Sequence, residues 1–175
     1  MTGSDTALSG LRLIAHPLRL RMLSLLTGAT LSAAEIAREL GESQPNVSYH
    51  LRRLADGGLV RLVDQQKVRG GIAKRYTHDS DSAEGMSRST TGELGELLSV
   101  LAHEMTRRGA LYREGSTHAF TDAHVAVSVE DRDLLEAATR DLGRRIHAAA
   151  TADGDGARVF VSATLMLFET TGDTG

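Results

Sequence analysis

The sequence predicts an α+β fold, and three observations support that prediction. Apolar residues recur at helical spacing from residue 8 to residue 56, in stretches bounded by capping residues or glycine. Two strand-like runs, Leu59–Val63 and Ile72–Thr77, then flank a polar stretch that contains glycines. The chain has 175 residues, of which 41% are hydrophobic and 25% charged, so its composition is that of a folded globular protein.

Two short helices are predicted at the start. Apolar residues recur on either side of a break at His16-Pro17, namely Leu8, Leu11 and Ile14 before it and Leu20, Leu23 and Leu26 after it. Gly28 ends the second helix. Ser32 and Glu35 then form a capping-box pattern, which predicts a third helix that ends at Gly41.

A fourth helix opens at Ser43 and closes at the glycine pair Gly57-Gly58. Its apolar residues Val47, Leu51 and Leu54 share one face at 100° per residue. Two helices joined by a short turn over residues 32–56 constitute a helix-turn-helix motif.

The two strand-like runs predict a hairpin with a long, basic tip at residues 64–71. Four cations surround its Gly70-Gly71 pair: Lys67, Arg69, Lys74 and Arg75. Up to residue 80, Lys and Arg outnumber Asp and Glu by 11 to 7, whereas after it they are outnumbered by 9 to 16. Clustered positive charge indicates a phosphate-backbone partner if it lies on one surface, and otherwise a solvated face.

The remainder of the chain predicts a small C-terminal extension. After a Ser-, Gly- and Thr-rich linker, one apolar stripe predicts an amphipathic helix that must pack on another surface: Leu94, Leu97, Leu98, Leu101 and Met105. Strands are predicted at 125–129 and 159–168, with a helix between them that Ser128 and Asp131 cap. Because the second strand is apolar on both faces, it needs a partner: a second subunit, the helix that carries Leu94 to Met105, or a small apolar ligand.

Several separated segments together resemble one protein family. They begin with His16-Pro-Leu-Arg-Leu-Arg-Met-Leu and continue with Leu31-Ser-Ala-Ala-Glu-Ile-Ala-Arg-Glu-Leu-Gly, Ser43-Gln-Pro-Asn-Val-Ser-Tyr-His-Leu-Arg-Arg-Leu and Gly58-Leu-Val. In order and spacing they are similar to the winged helix-turn-helix of ArsR-type bacterial transcriptional regulators. The resemblance implies a dimeric repressor that binds a palindromic operator in double-stranded DNA and releases it when a small-molecule effector arrives.

This resemblance covers residues 8–78, the predicted winged helix-turn-helix domain. Residues 79–113 are then the linker and dimerisation helix, and residues 118–170 form a strand-helix-strand region for dimerisation or effector binding. The helix at 44–56 is predicted to enter the major groove, with the wing at 64–71 on the adjacent backbone or minor groove. Leu8 and Leu11 join the amphipathic stripe as the predicted dimer contacts.

The predicted DNA contacts follow from the polar side of the fourth helix and from the wing. They are Gln44, Asn46, Ser48, Tyr49, Arg52, Arg53, Lys67, Arg69, Lys74 and Arg75. Side-chain amides can pair with an adenine edge, and arginine can grip guanine or phosphate. The competing interpretations are helix-start chemistry for the two amides and a solvated surface for the cations.

Other functions are disfavoured. The chain contains no cysteine, which excludes thiolate metal sites and cysteine nucleophiles, and His103-Glu104, His118 and His124 show no firm ligand spacing. No catalytic set or cofactor motif is evident, so we expect neither an enzyme nor a cofactor. No secretory signal or membrane span is evident, which favours a cytoplasmic protein. The alternative to a DNA-binding regulator is a winged-helix module that binds other proteins.

Overall fold

The computed structural model describes residues 10–68, 71–79, 82, 90–151 and 157–171. The helices are α1 (Gly10–Ile14), α2 (Pro17–Gly28), α3 (Ala33–Leu40), α4 (Gln44–Asp56), α5 (Thr91–Gly109) and α6 (Val129–Thr151). The strands are β1 (Leu31–Ser32), β2 (Val60–Val68) and β3 (Gly71–His78), and they form an antiparallel sheet in the order β1-β3-β2. The predicted α+β winged-helix class is confirmed.

Local capping chemistry sets the helix boundaries of the helix-turn-helix. The Ser32 hydroxyl accepts a hydrogen bond from the backbone N–H of Glu35, while the Ser32 backbone N–H donates to the Glu35 carboxylate at 2.7 Å. The Ser32 backbone N–H and the Ser32 hydroxyl both donate to the Glu35 carboxylate, and these two hydrogen bonds lower the pKa of Glu35. Gly41 ends α3 with a left-handed φ of 68°, and the Ser43 hydroxyl begins α4 by accepting from Asn46 N–H. The predicted capping box is therefore confirmed.

One hydrophobic core joins the first four helices to the sheet. The side chains that are at most 2% exposed in it are Met22, Leu26, Ile36, Val47, Leu51, Leu54 and Leu59. They come from α2, α3, α4 and the turn into β2, so each apolar helical face predicted from spacing meets the others here. This core fixes the position of α4 relative to the hairpin.

The hairpin strands are longer than predicted. β2 continues through Val68, so Asp64–Val68 pair with β3 instead of forming the predicted tip at 64–71. Polar residues are tolerated there because the side chains of residues 64–67 are exposed, and Gln65 lies opposite Lys74 in the antiparallel register. Arg69 and Gly70 lie outside the described residues.

The long helix α5 packs against α1 and α2. Thr90 and Glu93 cap its start reciprocally, as a capping box. Leu97 is buried at 1% exposure, and Glu104 is buried as well. Arg107 and Arg108 bind the Glu104 carboxylate at 2.5 and 3.0 Å, and their hydrogen bonds lower the pKa of that carboxyl group.

The predicted helix of the C-terminal extension is confirmed as α6. The Ser128 hydroxyl accepts a hydrogen bond from the backbone N–H of Asp131 at its start. Near its end, α6 packs against α2, where a Cβ on Gly28 would lie 3.6 Å from that of Ala150. The His147 ring lies 4.7 Å from the ring of His78, measured between centroids. The last turns of α6 thus join it to the winged helix.

The two predicted strands beside α6 are not present in this single chain. Residues 121–128 and 157–171 carry no strand among the described residues, and α6 already begins at Val129. A strand requires a neighbouring strand to receive its backbone hydrogen bonds. Within the described chain, neither segment has such a neighbour, and their side chains are exposed.

We expect His78 to make stability depend on pH. Its pKa is lowered to about 4, first by burial and then by repulsion from His147, against an opposing effect of Asp79. In the folded protein the pKa of His78 lies below the ordinary value of 6.5. Its contribution to the free energy of unfolding is therefore complete above about pH 6.5 and falls as the pH drops toward 4. Between pH 7 and pH 5 the loss amounts to about 2 kcal/mol.

Chemical unfolding at these two pH values measures this loss. His78→Gln should decline less than the wild type by about that amount, whereas His118→Gln, at an exposed ring, should match the wild type. Carboxyl groups contribute little over this range because most stay ionised above pH 5. An unchanged decline in His78→Gln would mean that this imidazole is accessible to water.

Candidate nucleic-acid interface

Helix α4 presents two chemically different faces. Val47, Leu51 and Leu54 are buried against the core, together with His50 at 7% exposure. The predicted contact residues Gln44, Asn46, Tyr49 and Arg52 are exposed on the remaining surface, while Ser48 and Arg53 are half-buried. The structure therefore brings a polar, cationic surface to the outside of the second helix of the helix-turn-helix.

The first turn of α4 carries two exposed amides at its cap. The Asn46 amide nitrogen donates to a Glu42 carboxylate oxygen at 3.1 Å, and its backbone N–H donates to Ser43. Gln44 is exposed beside it. An adenine edge offers one donor and one acceptor to such an amide, so Asn46 would exchange its bond to Glu42 for a base.

The cations of α4 differ in their surroundings. Arg52 holds its Nε against the Ser48 carbonyl at 3.3 Å and is exposed. Burial lowers the pKa of Arg19 on α2, and the positive charge of nearby Arg53 lowers it further. The buried Nε of Arg19 has no hydrogen-bond partner among the described residues. Two guanidinium groups of like charge therefore lie near each other where α2 meets α4.

Arg19 was not predicted as a site residue. It lies in the His16-Pro17-Leu18-Arg19 run, and the signal that could have identified it is a cation in the first turn of the helix preceding the helix-turn-helix. In the same region the ring of His16 lies 4.4 Å from that of His50, centroid to centroid. Burial lowers the pKa of both imidazoles, first among several causes.

The hairpin places two predicted lysines on one face. Lys67 pairs with Ile72 and Lys74 pairs with Gln65 in the antiparallel register. Because residues two apart on a strand share a face, Lys67 and Lys74 project to the same side, and both are exposed. This gives the hairpin a cationic face near its distal end.

Arg75, also predicted to contact DNA, is engaged within the protein. Its guanidinium donates to the Thr30 carbonyl at 2.5 Å and lies 3.9 Å from the Glu35 carboxylate. It is half-buried between β1 and the start of α3. Its position favours a structural role that holds β3 to the helix-turn-helix.

The predicted dimer contacts differ in how far the single chain buries them. Leu97 faces the interior of its own chain, and Leu94, Leu101 and Leu11 are half-buried. Leu98 and Met105 are exposed at 38% and 55%, and they lie on one edge of α5 because they are seven residues apart. Leu8 lies outside the described residues.

The histidines considered as metal ligands are not brought together. The Glu104 carboxylate is held by two arginines, His118 lies edge-on to Tyr112, and His124 bonds to the Thr170 hydroxyl at 2.9 Å. The described part of the chain contains no group of three or more potential metal ligands. In that same part, no helix is both long and apolar enough to cross a membrane.

Comparison with known proteins agrees with this geometry. A family model described as a helix-turn-helix domain matches residues 14–63, from the end of α1 through α4 and into β2. No curated protein matches the chain. The matched region contains both helices of the motif and the exposed surface of α4, which supports a DNA-binding regulator.

Proposed function

We propose that the protein is a dimeric repressor of ArsR type that binds a palindromic operator through α4. The observation that carries this proposal is the division of α4 into a buried apolar face and an exposed face with Gln44, Asn46, Tyr49 and Arg52. A recognition helix needs this division because its core face must hold it rigid while the other face meets base edges.

Phosphate contacts come from both sides of α4 in this proposal. Arg53 and Arg19 converge at the junction with α2, and the Lys67 and Lys74 face of the hairpin reaches the backbone or the adjacent minor groove. Contacts of this kind position the protein and supply affinity, whereas the amides and Arg52 read the sequence. Arg69 of the predicted wing belongs to the same set.

The dimer forms through α1 and the exposed edge of α5. Leu98 and Met105 are large apolar side chains that a second copy would cover. Two α4 helices related by a two-fold axis would read half-sites one DNA turn, ~34 to 36 Å, or a multiple apart. Because the chain has no cysteine, the effector that releases DNA binds without thiolate ligands. The site of action is the cytoplasm.

Selection of binding sites from randomised duplex DNA tests the proposal with the purified full chain. We expect a palindromic winner that binds ~10³-fold or more tightly than scrambled DNA. Affinity that is indifferent to sequence and to salt would contradict the proposal and would favour a winged helix that binds proteins. The selected duplex then serves as the probe for the variants below.

The wing should contribute affinity without sequence preference. For Lys67→Ala with Lys74→Ala, we expect weaker binding to selected and scrambled DNA alike, because a phosphate contact does not depend on sequence. The slope of log affinity against log salt should fall in magnitude by roughly 0.9 per lost contact. Affinities measured at four or more salt concentrations give this slope.

A matched control carries Arg140→Ala with Arg144→Ala on α6. It removes the same two positive charges, from side chains that pair with Glu136 and Asp141 outside the winged helix. Its salt slope should equal that of the wild type. If the wing variant and this control behave alike, the hairpin face does not contact DNA.

A further inference from the structure

The region around α6 exposes an unusual amount of apolar surface. In residues 159–168 alone the exposed large side chains are Val159, Phe160, Val161, Leu165, Met166, Leu167 and Phe168, and Phe160 has no cover at all. Val125 and Val127 in the preceding segment and Leu134, Leu135 and Leu142 on α6 are exposed as well. Twelve large apolar side chains are thus exposed in and around one helix, whereas soluble monomers rarely expose large contiguous apolar patches.

The segment after α6 contacts the preceding segment and α6 through side chains. His124 bonds to the Thr170 hydroxyl, and Arg132 of α6 pairs with the Glu169 carboxylate at 2.9 Å. No backbone hydrogen bond joins residues 121–128 to residues 159–168 within the described chain. Their β-branched, alternating sequences therefore offer backbone donors and acceptors that another strand could pair with.

The rest of the single chain covers little of helix α6. Over 23 residues it buries no side chain, and it is packed against the winged helix at its last turns, near His78 and Gly28. Leu135 and Leu142 share an exposed edge seven residues apart. An amphipathic helix between two strand-like segments normally covers a sheet, so the layer beneath it is absent from the single chain.

We propose that a second copy of this chain supplies that layer. The segments 121–128 and 159–168 of each copy pair with those of the other, and the α6 helices cover the resulting shared sheet. The exposed side chains of both segments and of α6 give each copy an extended apolar surface to bury in such a contact. A two-fold contact is self-complementary, so one pair of segments provides both the apolar faces and the strand edges.

The chemistry favours a protein strand over other occupants. A small apolar ligand can fill a pocket, but it cannot cover so large an area or pair with a row of backbone amides. A second copy does both. This interface lies outside the α1 and α5 contact and does not depend on DNA binding, so it gives the dimer a second point of attachment.

Amide hydrogen exchange of the full chain, measured by mass spectrometry over a range of protein concentrations, tests the proposal. Sedimentation at the same concentrations gives the fraction of dimer. We expect the amides of residues 159–168 to exchange at least tenfold more slowly in the dimer, and to lose that protection on dilution to the monomer. Free exchange in the dimer would overturn the proposal, as would equal protection in the monomer.

A matched pair of variants makes the test specific. Val161→Lys places a charge at a side chain that is 80% exposed in the single chain, so the winged helix should fold and retain its protection. Protection of residues 159–168 should disappear, and the dimer should dissociate at lower dilution than the wild type. Leu111→Lys, at a 73% exposed leucine outside the patch, should change neither result. Unchanged protection in Val161→Lys would overturn the proposal.

Discussion

Replacing both Arg52 and Arg53 with alanine is expected to lower affinity for the selected operator by about 100-fold or more. A good contact between an arginine and a base edge, proposed for Arg52, contributes about 1–3 kcal/mol, and Arg53 adds a proposed phosphate contact. Both side chains lie on α4 away from its buried face. The variant removes the exposed cation of α4 and the cation that lies near Arg19. Fluorescence anisotropy with the selected and scrambled duplexes measures the loss of affinity.

The same variant should remain folded. Arg52 is exposed and Arg53 is half-buried, so the free energy of unfolding should change by less than about 1 kcal/mol. Arg113→Ala, an exposed cation outside the winged helix, serves as the control and should bind like the wild type. If the double variant keeps wild-type affinity for the operator, α4 is not the recognition helix.

The largest effect on stability is expected from Leu54→Ala. The Leu54 side chain has no exposure and lies in the core where α4 turns into β2, and its carbonyl accepts the Leu59 N–H at 2.9 Å. Truncation leaves a cavity among side chains that are held by several elements, so unfolding should become easier by about 2–5 kcal/mol. Urea unfolding followed by circular dichroism gives this difference.

A surface leucine provides the comparison. Leu111→Ala removes the same atoms at 73% exposure and should cost less than about 0.5 kcal/mol. Because α4 depends on this core for its position, Leu54→Ala should also weaken operator binding. The weakening should grow as the temperature approaches the lowered midpoint of thermal unfolding of the variant. If Leu54→Ala lowers the free energy of unfolding as little as Leu111→Ala does, the neighbouring side chains have moved to fill the cavity.

The helix-turn-helix could be predicted almost completely. The capping residues act on backbone groups within a few residues of themselves, so their effect can be predicted from the local sequence. They are Ser32, Glu35, Gly41 and Ser43. The two faces of α4 follow from helical periodicity for the same reason. The exposed Gln44, Asn46, Tyr49 and Arg52 were therefore predictable, although their contacts with DNA stay a prediction.

The roles of individual cations were less accessible to sequence. Arg75 belongs to the same basic stretch as Lys74, yet it reaches the Thr30 carbonyl, 45 residues earlier in the chain. Arg19 was overlooked because its neighbour Arg53 is 34 positions away in sequence and adjacent only after α2 and α4 pack. The sequence gives the number of cations in a stretch, but only tertiary packing determines which group each cation contacts.

The sequence by itself determined where the helices of the winged helix begin and end, and which side of each is apolar, because capping and periodicity act over one or two turns. Only the tertiary structure decided what covers an apolar face. Leu97 and Leu98 are neighbours in one stripe, but packing on α1 and α2 buries the first and leaves the second exposed. Residues 159–168 read as a strand, yet a strand exists only when another chain segment accepts its hydrogen bonds.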